Sequence, residues 1–434
     1  MRCEHIPPRR SPVAQPVLQT NPGSCPLPFT RGADTLRSVA LIHWLQLALA
    51  EGIGPILMRR LIDVARSAEL ACSASPAVLR SIDGIGQARA SQIHQSLRRA
   101  AEQAPGELER AHKLGVWIIC PDDELYPTLL RDIPDPPGVL YVKGSLEPRD
   151  LNALAIVGSR RCSYYGREQA ERFGALLAGA GMTVVSGGAR GIDSAAHRGA
   201  LSHPQGRTIA VLGCGIDAIY PPENASLFEQ IAGRGAILSE YPIGTPPVAE
   251  NFPRRNRIVS GMSRGVLVIE ADKRSGALIT ARQACEDHGR PVFALPGRVD
   301  NRMAIGPHKL IRDGATLVTN LEQIIEGLGP LPQSAIQPPP FEHRRKQDDS
   351  HVLAEPGAPQ QSAWHDSNAL VHLSDKQRAV LLGIDEQPTS IDTIVERTTL
   401  PVHVILQELT FLSLKGAVRR VDGQTYARRS RGDP

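Results

Sequence analysis

Seven cysteines are scattered over the 434 residues, at Cys3, Cys25, Cys72, Cys120, Cys162, Cys214 and Cys285, and no two form a C-x-x-C pair. That spacing argues against a zinc ribbon and against a disulfide framework, and it fits a reducing compartment. No apolar run reaches the roughly 20 residues that a bilayer helix needs. The longest, Val39 to Ala50, is interrupted by His43 and Gln46, and reads as a buried helix. The amino terminus lacks the continuous apolar stretch of a secretory signal, so a cytoplasmic location and no membrane partner are expected. Neither G-x-x-x-x-G-K-[ST] nor HExxH occurs, and no ATP motor, zinc-peptidase site, bound metal or cofactor is anticipated. Aromatic residues are only 4% of the chain, and the net charge of +4 is small. Nucleic-acid binding therefore has to be argued from where basic residues cluster.

Proline is abundant, at 36 residues, and its distribution marks out the domains. Residues 1–34 carry seven prolines and no hydrophobic period, the pattern of a disordered tail. Residues 35–104 read as a small helical domain of the helix-hairpin-helix or SAM-like type. In it Gly52-Ile53-Gly54 and Gly84-Ile85-Gly86 each open a helix, and Arg59, Arg60, Arg89 and Arg98 leave both DNA contact and protein contact open. Residues 105–329 form the core, with strands expected at Ala153 to Gly158, Met182 to Gly187, Thr208 to Gly213, Ala236 to Glu240, Gly265 to Ala271 and Pro291 to Pro296. Near-continuous apolar strands alternating with helices predict an α/β fold with a Rossmann-like parallel sheet covered on both faces. A Pro-rich linker follows over 330–368, and residues 369–428 read as three short helices and a hairpin turning at Asp422-Gly423, the order of a winged helix. The third of those helices is mostly apolar, which favours protein contact, although arginines at 419, 420, 428 and 429 keep DNA possible.

Two strand ends carry glycine turns leading into helices: Gly158-Ser159-Arg160 and Ser186-Gly187-Gly188, the latter with Arg190. Amides at a helix amino terminus attract anions, and small residues let a phosphate approach. Phe252-Pro253-Arg254-Arg255-Asn256-Arg257 is the densest basic phrase in the core and offers three guanidiniums, an amide and an aromatic to a phosphate backbone with a stacked base. Lys273, Ser275 and Gly276 offer a further strand-end turn. Tyr164, Tyr165, Tyr220 and Phe252 are the core candidates for base stacking.

Other motifs fail on context. Gly213-Cys214-Gly215-Ile216-Asp217-Ala218 has the spacing of a dinucleotide loop, but Tyr220-Pro221-Pro222 ends any helix that should follow. Gly261-Met262-Ser263-Arg264-Gly265 matches a nucleophile elbow with its strand and helix in reversed order. Asp193 and His197, one helical turn apart, lack the companions of a metal site. Glu270 and Asp272 are strand-end carboxylates available as acid or base, with a structural role the simpler reading.

Together these phrases resemble the DNA-processing protein A (DprA/Smf) family. IVGSR, SGGARGIDSAAHRGAL, TIAVLGCGID with IYPPEN, FPRRNRIVSG, KRSGALITA and ALPG carry the resemblance in order. It implies an extended Rossmann-like core that binds single-stranded DNA, forms a homodimer and hands DNA to the strand-exchange recombinase during natural transformation. The implied DNA site comprises Gly158, Ser159, Arg160, the Ser186 to Gly188 turn and the Phe252 to Arg257 phrase. Two positions depart from the family pattern: Gly188, where a larger apolar residue is usual, and the loop before Asn251, which lacks a basic residue. A competing class is the nucleotide phosphoribohydrolases, whose P-G-G-x-G-T-x-x-E phrase is matched by neither Glu270 to Gly276 nor Leu295 to Arg298.

Overall fold

The helical stretch after the leader folds as α1 (Ala33–Leu49), α2 (Pro55–Ala65), α3 (Ala68–Cys72), α4 (Pro76–Arg80) and the 27-residue α5 (Gln87–Lys113). The computed structural model describes residues 33–330 and, with short gaps, 375–428. The tail up to residue 32 and the segment 331–374 lie outside the described residues, as does the Asp422-Gly423 turn. What is described falls into two compact units, one within Met1–Pro338 and one within Pro339–Pro434.

The expected boundary at 104 is not a boundary in the fold. Helix α5 runs straight through it, and the head shares one hydrophobic cluster with the sheet, in which Trp44, Leu61 and Ile93 join Tyr141, Leu212 and Phe228. Polar contacts reinforce the seam. Trp44 Nε1 donates to Asp122 at 2.6 Å, and the buried Glu107 on α5 accepts from Tyr141 Oη and from the Ile243 amide, both at 2.8 Å.

All six expected strands are present, as β3 (Ala153–Val157), β4 (Thr183–Ser186), β5 (Arg207–Val211), β6 (Ala236–Ser239), β7 (Val266–Val268) and β8 (Val292–Ala294). Three short strands were not anticipated: β1 (Trp117–Ile119), β2 (Leu140–Gly144) and β9 (Thr316–Leu317). The sheet order is β1-β2-β6-β5-β4-β3-β7-β8-β9. From β6 to β9 all neighbours are parallel, whereas β2 pairs antiparallel with β6 and with β1, so the sheet is mixed and mostly parallel. Chain order departs in both directions from β3, which makes the β3–β7 crevice the topological switch point.

Helices cover both faces. α7 (Tyr164–Gly179), α8 (Ile192–Ser202) and α13 (Leu321–Leu328) bury Phe173, Leu177, Ala196 and Ile324 against one, joined by α9 (Ala225–Arg234) with Phe228 and Ile231. α10 (Asn251–Gly261) and α11 (Gly276–Arg282) bury Ile258, Val259 and Ala281 against the other, with α6 (Thr128–Arg131) contributing Leu130. Each fully buried aromatic or branched side chain contributes about 1.5–3 kcal/mol. Between β8 and β9 runs α12 (Ile305–Arg312).

The second unit comprises α14 (Asp375–Leu382), β10 (Thr389–Ser390), α15 (Ile391–Thr398), α16 (Val402–Leu414), β11 (Val418–Arg420) and β12 (Thr425–Arg428), with β12 paired antiparallel to both β10 and β11. Ser390 caps α15 by accepting from the Thr393 amide at 3.2 Å. This is the winged-helix order that the sequence predicts.

Candidate nucleic-acid interface

Parallel strands point their carboxyl ends to one edge of the sheet, and the turns after β3, β4, β5 and β7 meet there. After β3, Gly158 packs against Ile192, and the Ser159 amide donates to the Glu270 carbonyl at 2.7 Å. Both are framework, and together they project Arg160 into solvent. The amino end of α7 does hold an anion, but an internal one. The buried Glu270 carboxylate accepts from the Ser163 amide at 2.7 Å, Ser163 Oγ at 2.6 Å and Asn301 Nδ2 at 3.1 Å. The expected phosphate seat at this helix terminus is therefore filled, and the carboxylate offered as acid or base is engaged structurally. Asp272 is likewise tied to Arg302, at 2.7 Å. Ser263 donates its buried hydroxyl to the Val259 carbonyl and sits between helix and strand, as its reversed context implied.

In the turn after β4, Ser186 is buried and donates to the Ile156 carbonyl at 2.6 Å. Gly187 accepts at its carbonyl from Arg255 Nη1 at 2.7 Å, and a methyl group on Gly187 would sit 2.5 Å from Arg255 Nη2 and 2.7 Å from Asp193 Oδ2. Only glycine fits between those two groups. Burial pushes the Asp193 carboxyl up, and the Arg255 guanidinium opposes that shift. Arg190 pairs with Glu223, which reduces its value as a phosphate donor. His197 does not join Asp193. Its Nδ1 meets Thr208 Oγ1 at 2.7 Å, whose own proton goes to the Val184 carbonyl, and no metal-holding cluster occurs among the described residues.

The basic phrase on α10 divides by helical face. Arg254 is exposed, whereas Arg255 and Arg257 are only 3% and 5% exposed. Arg257 is clamped by Asp135 at 3.0 Å and Glu240 at 2.6 Å. Neither buried guanidinium can reach a phosphate, so the expectation of three donors reduces to Arg254. Asn256 Nδ2 donates to the Gly276 carbonyl at 3.4 Å, setting the Lys273 to Gly276 loop beside α10. Ser275 caps α11, accepting from the Ala277 amide at 3.3 Å.

What the edge does assemble is a small depression lined by Arg160, Gly187, Ala189, Arg190, Tyr220, Pro221 and Phe252. The Arg160 guanidinium lies 5.0 Å from the centre of the Phe252 ring, and Tyr220 stands 5.4 Å from the same ring at an interplanar angle of 42°. A cation over an aromatic face beside a second ring suits both a phosphate and an unstacked base. Five exposed cations at this edge, Arg160, Arg161, Arg254, Lys273 and Arg274, form no ion pair among the described residues. Arg161 and Arg274 were missed by the sequence reading. Their signal was present as a second arginine or lysine at each strand-end turn.

Residues 117–329 match the family described as DNA recombination-mediator protein A, and residues 365–424 match the DprA winged helix domain. Protein Smf of Synechocystis sp. is 37% identical over 398 residues, which cover 89% of this chain and 98% of that protein. The chain belongs to the DprA/Smf family. The DNA processing protein DprA of Streptococcus pneumoniae is 44% identical over 203 residues, covering 47% of this chain and 71% of the relative. The X-ray structure of the S. pneumoniae DprA superposes with a TM-score of 0.56 at 33% identity, covering 65% of this chain and 95% of that one.

At Gly188 the backbone itself requires glycine. Its φ of +67° lies in the left-handed region, and a methyl group there would sit 2.6 Å from the Phe228 ring. Phe228 from α9 packs against this turn, and Asn224 Nδ2 donates to the Gly188 carbonyl at 2.9 Å.

Proposed function

We propose that this DprA/Smf chain binds single-stranded DNA across the carboxyl edge of its sheet and presents it to a strand-exchange recombinase. Relatives carrying the name DNA processing protein DprA support a role in processing DNA. The observation that carries the single-strand reading is Arg160 stacked over Phe252 with Tyr220 alongside. Duplex bases hide their faces in the stack, whereas a single strand offers them to aromatic rings and its phosphates to the unpaired cations. Gly158, Ser159, Ser186, Gly187, Gly188, Ser275 and Gly276 shape this edge, while Arg160, Arg254, Lys273 and the ring of Phe252 contact the strand. The chain acts as a homodimer, for which the exposed edge strand β9 and the exposed Ile305 offer a face.

A salt-titrated mobility shift tests the binding reading. Single strands are expected to bind more tightly than duplex of the same length, with the preference lost in Arg160→Ala; equal affinities in the unaltered chain count against it. Recombinase assembly on protein-coated single strands, measured for the full chain and for one ending near Pro330, tests the delivery step. No acceleration over naked DNA would remove that step and leave the binding reading intact.

A further inference from the structure

The β3–β7 switch point, where open parallel sheets usually seat a ligand, is closed here from within. The Glu270 carboxylate fills it, held by Ser163 and Asn301, and a side chain at Gly166 would collide with that carboxylate. A ligand at this place has to lie across the crevice rather than enter it.

The rim of the crevice is built unlike its surroundings. Arg160 and Arg161 stand on the β3 side, and Lys273 and Arg274 on the β7 side. All four are exposed without an ion pair among the described residues. Their neighbours Arg298 and Arg302 are neutralised by Asp300 and Asp272. Directly after Arg161, α7 opens with Tyr164, 80% exposed, and Tyr165, 44% exposed. These are the only aromatic members of the exposed large apolar side chains among the described residues. Exposed rings interleaved with unpaired cations are the composition of a single-strand track.

The distances favour a continuous path. Phe252 packs on Gly213 after β5, and β5, β4, β3 and β7 are successive neighbours. At about 4.8 Å per strand the turns after β5 and β7 lie about 14 Å apart, beyond the reach of one nucleotide seated in the Arg160–Phe252 depression.

We propose that Arg161, Tyr164, Tyr165 and Arg274 form a second single-strand subsite across the switch point, continuous with the strand contacts at Arg160, Phe252 and Lys273. It rests on the single-strand reading given above. In it, Tyr164 and Tyr165 offer ring faces to bases, and the cations flank the phosphates between them.

The test measures full-chain binding to oligothymidylates of about 4 and about 12 nucleotides over a salt series. The unaltered protein is expected to bind the long strand more tightly and with a steeper salt dependence. Tyr164→Ala/Tyr165→Ala is expected to weaken the long strand about 10-fold and leave the short one unchanged. Arg161→Ala/Arg274→Ala is expected to lower the long-strand slope of log K against log salt by about 1.4, at about 0.7 per phosphate contact. These side chains are exposed, so thermal unfolding is expected to match that of the unaltered protein. Long-strand affinity and slope unchanged in both variants, or no gain with length in the unaltered chain, overturns the second subsite. If Arg160→Ala still weakens both lengths, the primary reading stands alone. If the unaltered chain binds neither strand, the primary reading itself fails.

Discussion

Arg255 Nη1 donates to the carbonyl of Gly187 at 2.7 Å, a contact by which α10 helps hold the turn after β4 at the carboxyl edge of the sheet. The guanidinium lies beneath the depression, not in it. Asp193 faces it from across Gly187, where no side chain would fit.

Arg255→Ala is therefore expected to act through stability. It strands a buried carboxylate and an unsatisfied carbonyl, a loss of about 3 kcal/mol, to be read from denaturant unfolding. The salt slope of DNA binding should stay unchanged, since no phosphate contact is lost. A slope reduced as far as in Arg160→Ala would show instead that Arg255 reaches the DNA.

The neighbouring arginines of α10 should separate cleanly. Arg254→Ala is expected to lower the single-strand salt slope by about 0.7 with the unfolding midpoint unmoved. Arg257→Ala should cost about 3–5 kcal/mol by leaving Asp135 and Glu240 uncompensated. Equal effects of the two substitutions on stability would contradict the division by helix face.

Phe252→Ala is expected to reduce single-strand affinity by about 1–3 kcal/mol while duplex affinity changes little. Competition binding with both DNA forms measures the difference, and a parallel loss on duplex would remove the stacking role.

His197 makes the acid limb of stability diagnostic. Burial, aided by Arg255 and Arg198, lowers its pKa to about 3, against about 6.5 in an unfolded chain. The unfolded state thus takes up a proton that the folded state refuses. The contribution is complete above pH 6.5 and is lost as pH falls toward 3, at roughly 1.4 kcal/mol per unit. Denaturant unfolding of His197→Asn between pH 7 and 4 should show a flatter decline than the unaltered chain; parallel declines would show that other groups set the limb.

Six core strands were legible because each is a run of β-branched and aliphatic residues, from Ala153-Leu154-Ala155-Ile156-Val157 onward, set between helical stretches and, after β3, β4 and β5, ending in a glycine turn. β1, β2 and β9 were not, because β1 and β2 pair antiparallel outside the strand–helix alternation that marks the others, and the two residues Thr316-Leu317 carry no period. Their identity comes from pairing with a neighbour distant in sequence. The same reason hid the continuity of head and core: nothing local in Trp44 or Glu107 announces Asp122, Tyr141 or Ile243 as partners.

The sequence by itself determined the family, the α/β class, the winged-helix order and the edge of the sheet where glycine turns and arginines gather, since each is written in local spacing and residue type. Only the tertiary structure decided which cations face solvent. Arg254, Arg255 and Arg257 are equal as letters, yet a helix turns each successive residue by about 100°, which sets the three on different faces. One is thereby left in solvent, one beneath the Gly187 turn and one between Asp135 and Glu240. Arg160 stayed at the surface because the small β3 turn is held by Glu270, a carboxylate 110 residues later in the chain whose place at the foot of α7 depends on β3 and β7 lying side by side.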